Sequence, residues 1–185
     1  MCSLGNINLA ASLSANSGSN AISLYPNLSA GSSKAYITDN STITAATYTV
    51  NGNLTVNSGK TLTLKGAVTI TGTLTTASGS LVRYAGALAQ TIKAATYYDL
   101  TIDTTDGAKT VYFDVANTTV VTNALVLTGA SGKVLTIRST VPATRATITV
   151  PITSGVDYVN VDYNNASNSI TTTNSNIGSN TTNWI

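Results

Sequence analysis

The chain of 185 residues contains no histidine and no glutamate, and charged residues make up only 9% of it. Without histidine there is no imidazole base for general-base catalysis, no Ser-His-Asp triad and no histidine-based metal site. Carboxylate chemistry would rest on seven aspartates. We therefore predict a protein that is not an enzyme and that uses no cofactor or metal.

Cysteine and long apolar runs are scarce as well. Cys2 is the single cysteine, so the chain has no disulfide framework. No window reaches the roughly 18 consecutive apolar residues that a membrane-spanning helix needs. Nine scattered Lys and Arg residues and a net charge of +2 predict no contact with nucleic acid or with an anionic membrane. The N-terminal stretch "MCSLGNINLAASLSANSGSN" lacks the basic region and the continuous apolar core of a conventional secretory signal.

The chain is rich in small polar residues instead. Threonine (34), serine (20) and asparagine (19) together form about two-fifths of the sequence. Threonine and valine favour the pleated, half-buried surfaces of strands, whereas glycine, asparagine and serine favour turns. This composition predicts an all-β protein.

The stretch "NGNLTVNSGKTLTLKGAVTITGTLTT" (51–76) and the residues just before it alternate between apolar and hydroxyl-bearing side chains. Side chains alternate between the two faces of a strand, so one parity is expected to be buried. We predict that Leu62, Leu64, Val68 and Ile70 are buried and that Thr61, Thr63, Thr69 and Thr71 are exposed. The large apolar residues all have even numbers: Tyr48, Val50, Leu54, Val56, Leu62, Leu64, Val68, Ile70 and Leu74.

These strands are very short and are separated by "NGN", "NSGKT", "KGA" and "TGT". The pair Tyr48/Val50 recurs as Leu62/Leu64 after 14 residues, and Leu54/Val56 recurs as Val68/Ile70. Short strands that return at a roughly constant interval are typical of a solenoid, and we predict a single parallel β-helix of about 7–10 coils, with about 14–22 residues per coil. The alternative is an antiparallel β-sandwich whose strands fold back through Asn-Gly turns.

The alternation continues to residue 161 with changes of parity. The breaks at 103–110 and 139–147 predict wider loops, because a one-residue slip inside a strand would turn the buried face outward. Pro142 and Pro151 are expected at strand starts, edges or corners. The predicted inward residues are Leu88, Ile92, Tyr98, Leu100 and Ile102, then Val111, Phe113, Val115, Val121, Leu125, Leu127, Leu135 and Ile137, then Ile148, Val150 and Ile152, and last Val159 and Val161.

The two ends differ in composition from the middle. We divide the chain into an N-terminal capping or attachment segment (1–40), a solenoid body (41–163) and a polar C-terminal cap or tail (164–185). Within residues 5–13, Ile7, Leu9, Ala11 and Leu13 alternate. This segment either pairs with a neighbouring protein or folds back over the first coil, near Ile43, Tyr48 and Val50.

The stretch 51–76, followed by "AQTIKAATYYDLTID" (89–103), resembles coils of bacterial β-helical surface proteins of the filamentous-haemagglutinin-like adhesin group. The end of the chain, "GVDYVNVDYNNASNSITTTNSNIGSNTTNWI", is similar to the terminal repeat of such arrays. The resemblance covers residues 47–185. It implies a parallel β-helix that is displayed outside a cell in structural or adhesive service, and the group has no shared catalytic residues.

Three groups of polar residues are the candidates for chemistry. Asp99, Asp103 and Asp106 are the nearest approach to a catalytic carboxylate pair, although turn formation explains the last two equally well. A second group could offer oxygen ligands to calcium, without any recognisable calcium-binding repeat: Asp157, Asp162, Asn164 and Asn165. The motifs "TYT", "TLT", "TIT" and "TLT" would form an ice-binding hydroxyl array if they stacked on one face, but threonine is also a favoured outward strand residue.

We expect a non-enzymatic structural protein on the outside of a large assembly, located extracellularly or on a virion surface. The lack of a conventional signal favours a virion surface component, such as a capsid decoration or fibre protein. The alternative is a bacterial cell-surface adhesin or extracellular filament subunit; a polysaccharide-degrading β-helix enzyme and an ice-binding solenoid are more distant alternatives. Expected partners are capsid or surface-layer proteins, or further copies of the chain in a homo-oligomer, with a glycan or receptor as an additional contact.

Overall fold

The computed structural model of the protein describes residues 6–9, 22–24, 34–37, 40–44, 47–50, 52–150 and 153–185. Within these ranges the regular elements are all strands, and no helix is present that would be long and apolar enough to cross a membrane. Most strands have three to five residues, as their turn-rich sequence predicts. Their bounds are β1 (Asn6–Leu9), β2 (Ile22–Leu24), β3 (Lys34–Ile37), β4 (Ser41–Ile43), β5 (Thr47–Val50), β6 (Asn53–Val56), β7 (Thr61–Leu64), β8 (Ala67–Ile70), β9 (Leu74–Thr76), β10 (Leu81–Tyr84), β11 (Gln90–Ile92), β12 (Thr96–Asp103), β13 (Lys109–Phe113), β14 (Thr119–Thr128), β15 (Leu135–Ser139), β16 (Ala146–Thr149), β17 (Thr153–Asp157), β18 (Val159–Val161), β19 (Asn164–Ile170), β20 (Asn176–Ile177) and β21 (Thr182–Trp184).

The strands stack into three ladders of parallel neighbours, and the chain winds from one ladder to the next. The first ladder runs β1-β3-β6-β9-β12-β14-β16-β19-β21, with the initial residues of β12 and β14. The second contains β4, β7, β10, the later residues of β12 and β14, and β17. The third contains β2-β5-β8 and then β11-β13-β15-β18-β20, two sets of paired strands that meet where β8 contacts β11 without pairing with it. The fold is therefore a β-solenoid of about seven turns, and the antiparallel sandwich is not formed.

The length of one coil is set by residues that lie in register in neighbouring turns. In the central coils Val50 pairs with Ile70 and Leu54 with Leu74, so the chain needs about 20 residues to return to the same ladder. The shorter recurrence in the sequence relates strands of different ladders, because Val50 lies in the third ladder and Leu64 in the second. The architecture, the predicted number of coils and, for these central coils, the predicted coil length are therefore confirmed, although the 14-residue recurrence is not itself the length of a coil.

Alternation along the strands places the aliphatic residues inside, as predicted. Leu62, Leu64, Val68 and Ile70 are buried. On the outer face Thr69 and Thr71 are exposed and Thr61 is half-buried. The prediction for Thr63 is wrong, because this outward residue is only 8% exposed. It lies in the middle of the second ladder, between Thr42 and Arg83 in register, where neighbouring side chains shield it.

Two further burial predictions are wrong for reasons of local geometry. Tyr97, not Tyr98, is buried, because the register between β12 and β14 shifts between Tyr97 and Asp99 where β12 passes from the first ladder to the second. Leu88 is 48% exposed, since it lies in the corner between β10 and β11. Val115 is partly buried, and Ile152 lies outside the described residues. The other predicted inward residues are buried: Ile92, Leu100, Ile102, Val111, Phe113, Val121, Leu125, Leu127, Leu135, Ile137, Ile148, Val150, Val159 and Val161.

Strands near both termini continue the same ladders. Residues 6–9 form β1, which pairs with β3 in the register Leu9 to Ile37 and not with the strands that contain Ile43 and Val50. Ala11 and Leu13 lie outside the described residues. At the other end β21 pairs with β19 and buries Trp184. Among the described strands β1 and β21 each have one partner, so each leaves an unpaired backbone edge.

Because one face of each strand is buried and the other is exposed, substitutions on the two faces should differ strongly in their effect on stability. Replacing the fully buried Leu64 by alanine should lower the free energy of unfolding by about 2–5 kcal/mol, because it leaves a cavity in the core. The exposed Thr69 provides the matched control, and Thr69→Ala should change stability by less than about 0.5 kcal/mol. Chemical denaturation of both variants tests this, and equal losses would contradict the alternation of faces.

Candidate functional site

An open groove follows the corner between the third and the first ladders. We call it the corner groove; it has a volume of about 570 Å³ and is lined by segments 72–76 and 93–96 together with Asp114 and Asn117. A hollow of about 400 Å³ on the third ladder adjoins it and shares Lys93, Ala94 and Asp114. Because the lining comes from successive coils, the groove runs along the stack.

Two buried tyrosines form hydrogen bonds to the backbone of Lys93, a residue that lines the corner groove. The Tyr84 hydroxyl accepts a hydrogen bond from the backbone N–H of Lys93 at 3.2 Å, and the Tyr97 hydroxyl donates to the Lys93 carbonyl at 2.5 Å. The two hydroxyls are 3.2 Å apart. Burial raises the pKa of both tyrosines, so both stay protonated at neutral pH. The hydroxyls thereby fix the backbone at Lys93.

One cation and one anion lie in this groove. The Lys93 ammonium donates to the Ile70 carbonyl at 2.9 Å. The Asp114 carboxylate accepts from the Asn117 side chain at 2.7 Å and from the Ala116 N–H at 3.0 Å. The bond from Asn117 is the main cause that lowers the pKa of Asp114, and the Lys93 charge adds to it. Asp114 is therefore ionised at neutral pH and is oriented by its own loop.

A second polar region covers the second ladder and its corner with the third. Arg83 donates to both carboxylate oxygens of Asp103, at 2.6 and 3.1 Å, and Lys65 pairs with Asp106 at 3.0 Å. Burial by itself raises the pKa of Asp103, but the hydrogen bonds from Arg83 and Thr105 outweigh it, and the pKa lies below its usual value. This cluster joins successive coils through ion pairs.

Beneath that cluster, two polar side chains point into the solenoid. Gln90 donates to the carbonyls of Leu64 and Gly66, at 2.9 and 2.8 Å. Lys109, only 5% exposed, donates to the Tyr84 carbonyl at 2.7 Å and to the Gln90 side-chain oxygen at 2.9 Å. The Leu64 carbonyl also accepts from the backbone N–H of Ala85 in the next coil at 2.9 Å, so Gln90 adds a second bond there. For the carbonyls of Gly66 and Tyr84 the side chains of Gln90 and Lys109 supply a donor at the corner.

The three aspartates that were considered for catalysis each have a structural partner. Asp103 pairs with Arg83 and Asp106 with Lys65. Asp99 accepts from the Asn123 side chain at 2.7 Å and from the backbone of β14. Asp99 and Asp103 lie four residues apart on β12, which separates them by about 13 Å. Paired carboxylates of glycoside hydrolases are roughly 5–10 Å apart.

Among the described residues, the two aspartates considered for calcium are engaged elsewhere, whereas the two asparagine oxygens are not. Asp157 accepts from Thr173 and Asn174, and Asp162 pairs with Arg138 at 3.0 Å. Asn164 donates to the backbone carbonyl of Asp162. In the part of the chain that the structure describes, no three acidic, histidine or cysteine side chains gather where they would hold a metal ion. The side-chain oxygens of Asn164 and Asn165 are buried and have no partner among these residues.

The four Thr-x-Thr motifs of residues 47–75 lie on three different faces. Thr49 and Thr69 are in register on the third ladder. Thr63 belongs to the second ladder and Thr75 to the first. The threonines therefore form separate rows on three ladders instead of one flat array.

The sequence predictions missed Gln90, Lys109 and the tyrosine pair. The alternation of the strands indicated that the first two side chains point inward. Gln90 has the same parity as the buried Ile92, and Lys109 has the same parity as the buried Val111. Lys109 lies in the stretch 103–110 that we assigned to a wider loop, and we made no prediction for Gln90. Tyr97 gave no such signal, since the register shift that turns it inward is not visible in the sequence.

Adjacent tyrosines provide a test of the support under the groove. Tyr97→Phe should cost about 1–3 kcal/mol of unfolding free energy, because the Lys93 carbonyl loses its Tyr97 donor and the Tyr84 hydroxyl keeps only its bond from the Lys93 N–H, both in a buried site. Tyr98→Phe removes a hydroxyl from a half-buried neighbour and should be near neutral. Thermal and urea unfolding would contradict this account if both variants behaved alike.

The lowered pKa of Lys109 predicts that the free energy of unfolding rises with pH in the alkaline range. Burial is the main cause that lowers its pKa from 10.5 to about 8; the Arg83 charge acts in the same direction, and Asp103 and Asp106 oppose it. Between about pH 8 and 10.5 only the unfolded chain keeps this proton, so stability rises with pH in that window. The gain is about 3 kcal/mol if the whole difference is realised.

Urea unfolding at several pH values, with the parent protein and Lys109→Met side by side, measures this effect. Other titrating groups, including the buried tyrosines, are common to both proteins, so the difference between them isolates Lys109. A difference that stays constant from pH 7 to about pH 10 would contradict the lowered pKa.

No known protein family, no curated protein and no solved structure matches this chain significantly. The resemblance to filamentous-haemagglutinin-like repeats accordingly stays a prediction. The functional conclusions rest on the solenoid, its edges and its polar sites.

Proposed function

We propose that the protein is a non-enzymatic structural component of a large assembly, displayed on a virion surface as a capsid decoration or fibre protein. The observation that carries this proposal is the short stack of parallel strands whose first ladder ends, among the described strands, in an unpaired backbone edge on β1 and on β21. At about 4.8 Å per coil, seven turns make a stack roughly 35 Å long. Such edges are templates for strand addition by another chain.

The two edges differ in how well they suit an added strand. In the last coil Asn174, Asn180 and Asn183 have positive φ angles of 48°, 55° and 62°, which turn the backbone away from an extended ladder. The first strand, "NINL", contains no charged residue that would discourage pairing. We therefore assign attachment to the N-terminal end, with a capsid or surface-layer protein or a second copy of the chain as partner.

A bacterial cell-surface adhesin or extracellular filament subunit is the alternative. The similarity of residues 51–76 and 89–103 to adhesin coils favours it. Both proposals place the protein outside a cell in structural service, and they differ in the assembly to which it binds. Co-purification with virions or with cell envelopes distinguishes them.

The non-enzymatic part of the proposal is supported by the partners of the aspartates. Incubation with a panel of polysaccharides should release no new reducing ends. Release that disappears in Asp99→Asn or Asp106→Asn, both of which lie outside the hydrophobic core, would overturn this part. Asp103 is unsuitable for this test, because its loss would leave Arg83 without its carboxylate partner.

Removal of residues 1–15 tests the assignment of the attachment end. The shortened protein should keep a β-rich circular dichroism spectrum, since only β1 is lost from the described stack. Its co-sedimentation with the native assembly, or its self-association, should fall. Ile185→Asp at the other end, where Ile185 is 66% exposed, is the matched control and should leave assembly unchanged. Loss of assembly in the control alone would contradict the assignment, and unfolding of the truncated chain would identify β1 as an internal cap.

A further inference from the structure

We propose that the corner groove is a binding site for a neutral, hydroxyl-rich ligand, that is, for a saccharide. This inference is independent of attachment through the strand edges, because the groove lies on the side of the stack. It assigns a recognition role to residues Thr75, Lys93, Thr96 and Asp114.

The groove is preorganised in a way that an ordinary surface corner is not. The fully buried Tyr84 and Tyr97 bind both backbone polar groups of Lys93, and the Thr76 hydroxyl bonds the Thr96 carbonyl at 3.1 Å and the Tyr98 N–H at 2.8 Å. Polar side chains thus fix the 93–98 segment from two directions. A ligand would meet a lining that loses little conformational entropy on binding.

The lining has hydrogen-bonding capacity that the fold does not use. Lys93 has three N–H donors and uses one of them, on the Ile70 carbonyl. The Asp114 carboxylate has about four acceptor sites and accepts from the Asn117 side chain and from the backbone of Val115 and Ala116, so capacity for a further bond remains. The hydroxyls of Thr75 and Thr96 are exposed, lie in register on neighbouring coils and have no hydrogen-bond partner among the described residues. The lining thus offers donors and acceptors together, as a polyol requires.

The charges and the size of the groove restrict the class of ligand. Lys93 and Asp114 cancel, so the groove offers no net charge that would favour an anion or a cation over a neutral molecule. A volume of about 570 Å³ lies within the range of small-molecule sites. Threonine is the commonest residue of the lining, at four positions, and the apolar members are Leu74, Ala94 and Ala95. No aromatic side chain lines the groove, so its apolar wall is smaller than that of a site for an apolar ligand. Threonine methyl groups and the two alanines would contact the C–H faces of a sugar.

An array of immobilised neutral oligosaccharides, built from hexoses and N-acetylhexosamines and printed beside sialylated and sulfated forms of the same chains, tests the proposal with the full-length protein. We expect binding to neutral glycans that the charged forms do not improve. Titration calorimetry with the best neutral glycan then gives the affinity. The variants Thr75→Val and Asp114→Asn should each weaken it about tenfold, since each removes one hydrogen-bonding group.

Thr101→Val is the matched control, because Thr101 faces outward on the second ladder, away from the groove. It should bind as the parent does, and circular dichroism should show that all three variants remain folded. Three outcomes would overturn the proposal: no binding to any glycan on the array, binding that both groove variants leave unchanged, or a preference for the sialylated or sulfated forms.

Discussion

The parallel hydrogen bonding between successive coils is the constraint on which the rest of this structure depends. Each strand must find a partner in the coil before it and in the coil after it, so inward side chains stack directly on inward side chains. This stacking explains why the buried residues are mostly valine, leucine and isoleucine, with phenylalanine at position 113 alone. The coil is longer where Val111 pairs with Ile137 than where Leu54 pairs with Leu74. The fold tolerates this difference because added residues extend the corners and leave the ladders in register.

The corners are where such a fold meets its main difficulty. When the chain turns from one ladder to the next, backbone groups leave the ladder and must be satisfied by side chains. Gln90 and Lys109 serve the inner side of one corner, and Tyr84 and Tyr97 serve another. Gly86 shows how closely the coils approach there: it has a φ of 85°, and a Cβ at this position would lie 1.9 Å from the Lys65 carbonyl oxygen. The polar residues of the interior thus stabilise the corners at which the chain turns from one ladder to the next.

Much of the fold could be predicted from the sequence because strand alternation is local. Whether a residue such as Leu64 or Ile137 points inward depends on its own strand, and these predictions are confirmed. The period of the coil, the burial of Thr63 and the inward turn of Tyr97 depend on which distant strands become neighbours. A single sequence contains no direct record of such pairing.

The corner groove also depends on which distant strands become neighbours. Its lining comes from three segments in successive coils, which acquire a common position only when those coils stack. The sequence of each segment alone is typical of a turn between strands. The groove and its tyrosine support could therefore not be predicted, whereas the individual threonines on strand surfaces could.

The most direct test of this account concerns which threonines are neighbours. In a Cys2→Ser background, Thr55→Cys combined with Thr75→Cys places two thiols in register on adjacent strands of the first ladder, about 5 Å apart between Cα atoms. Thr55→Cys combined with Thr69→Cys places them closer together in sequence but on different ladders. A short bifunctional thiol reagent should link the first pair rapidly and the second pair slowly or not at all. Efficient linking of the second pair and not the first would contradict the parallel stack in this register.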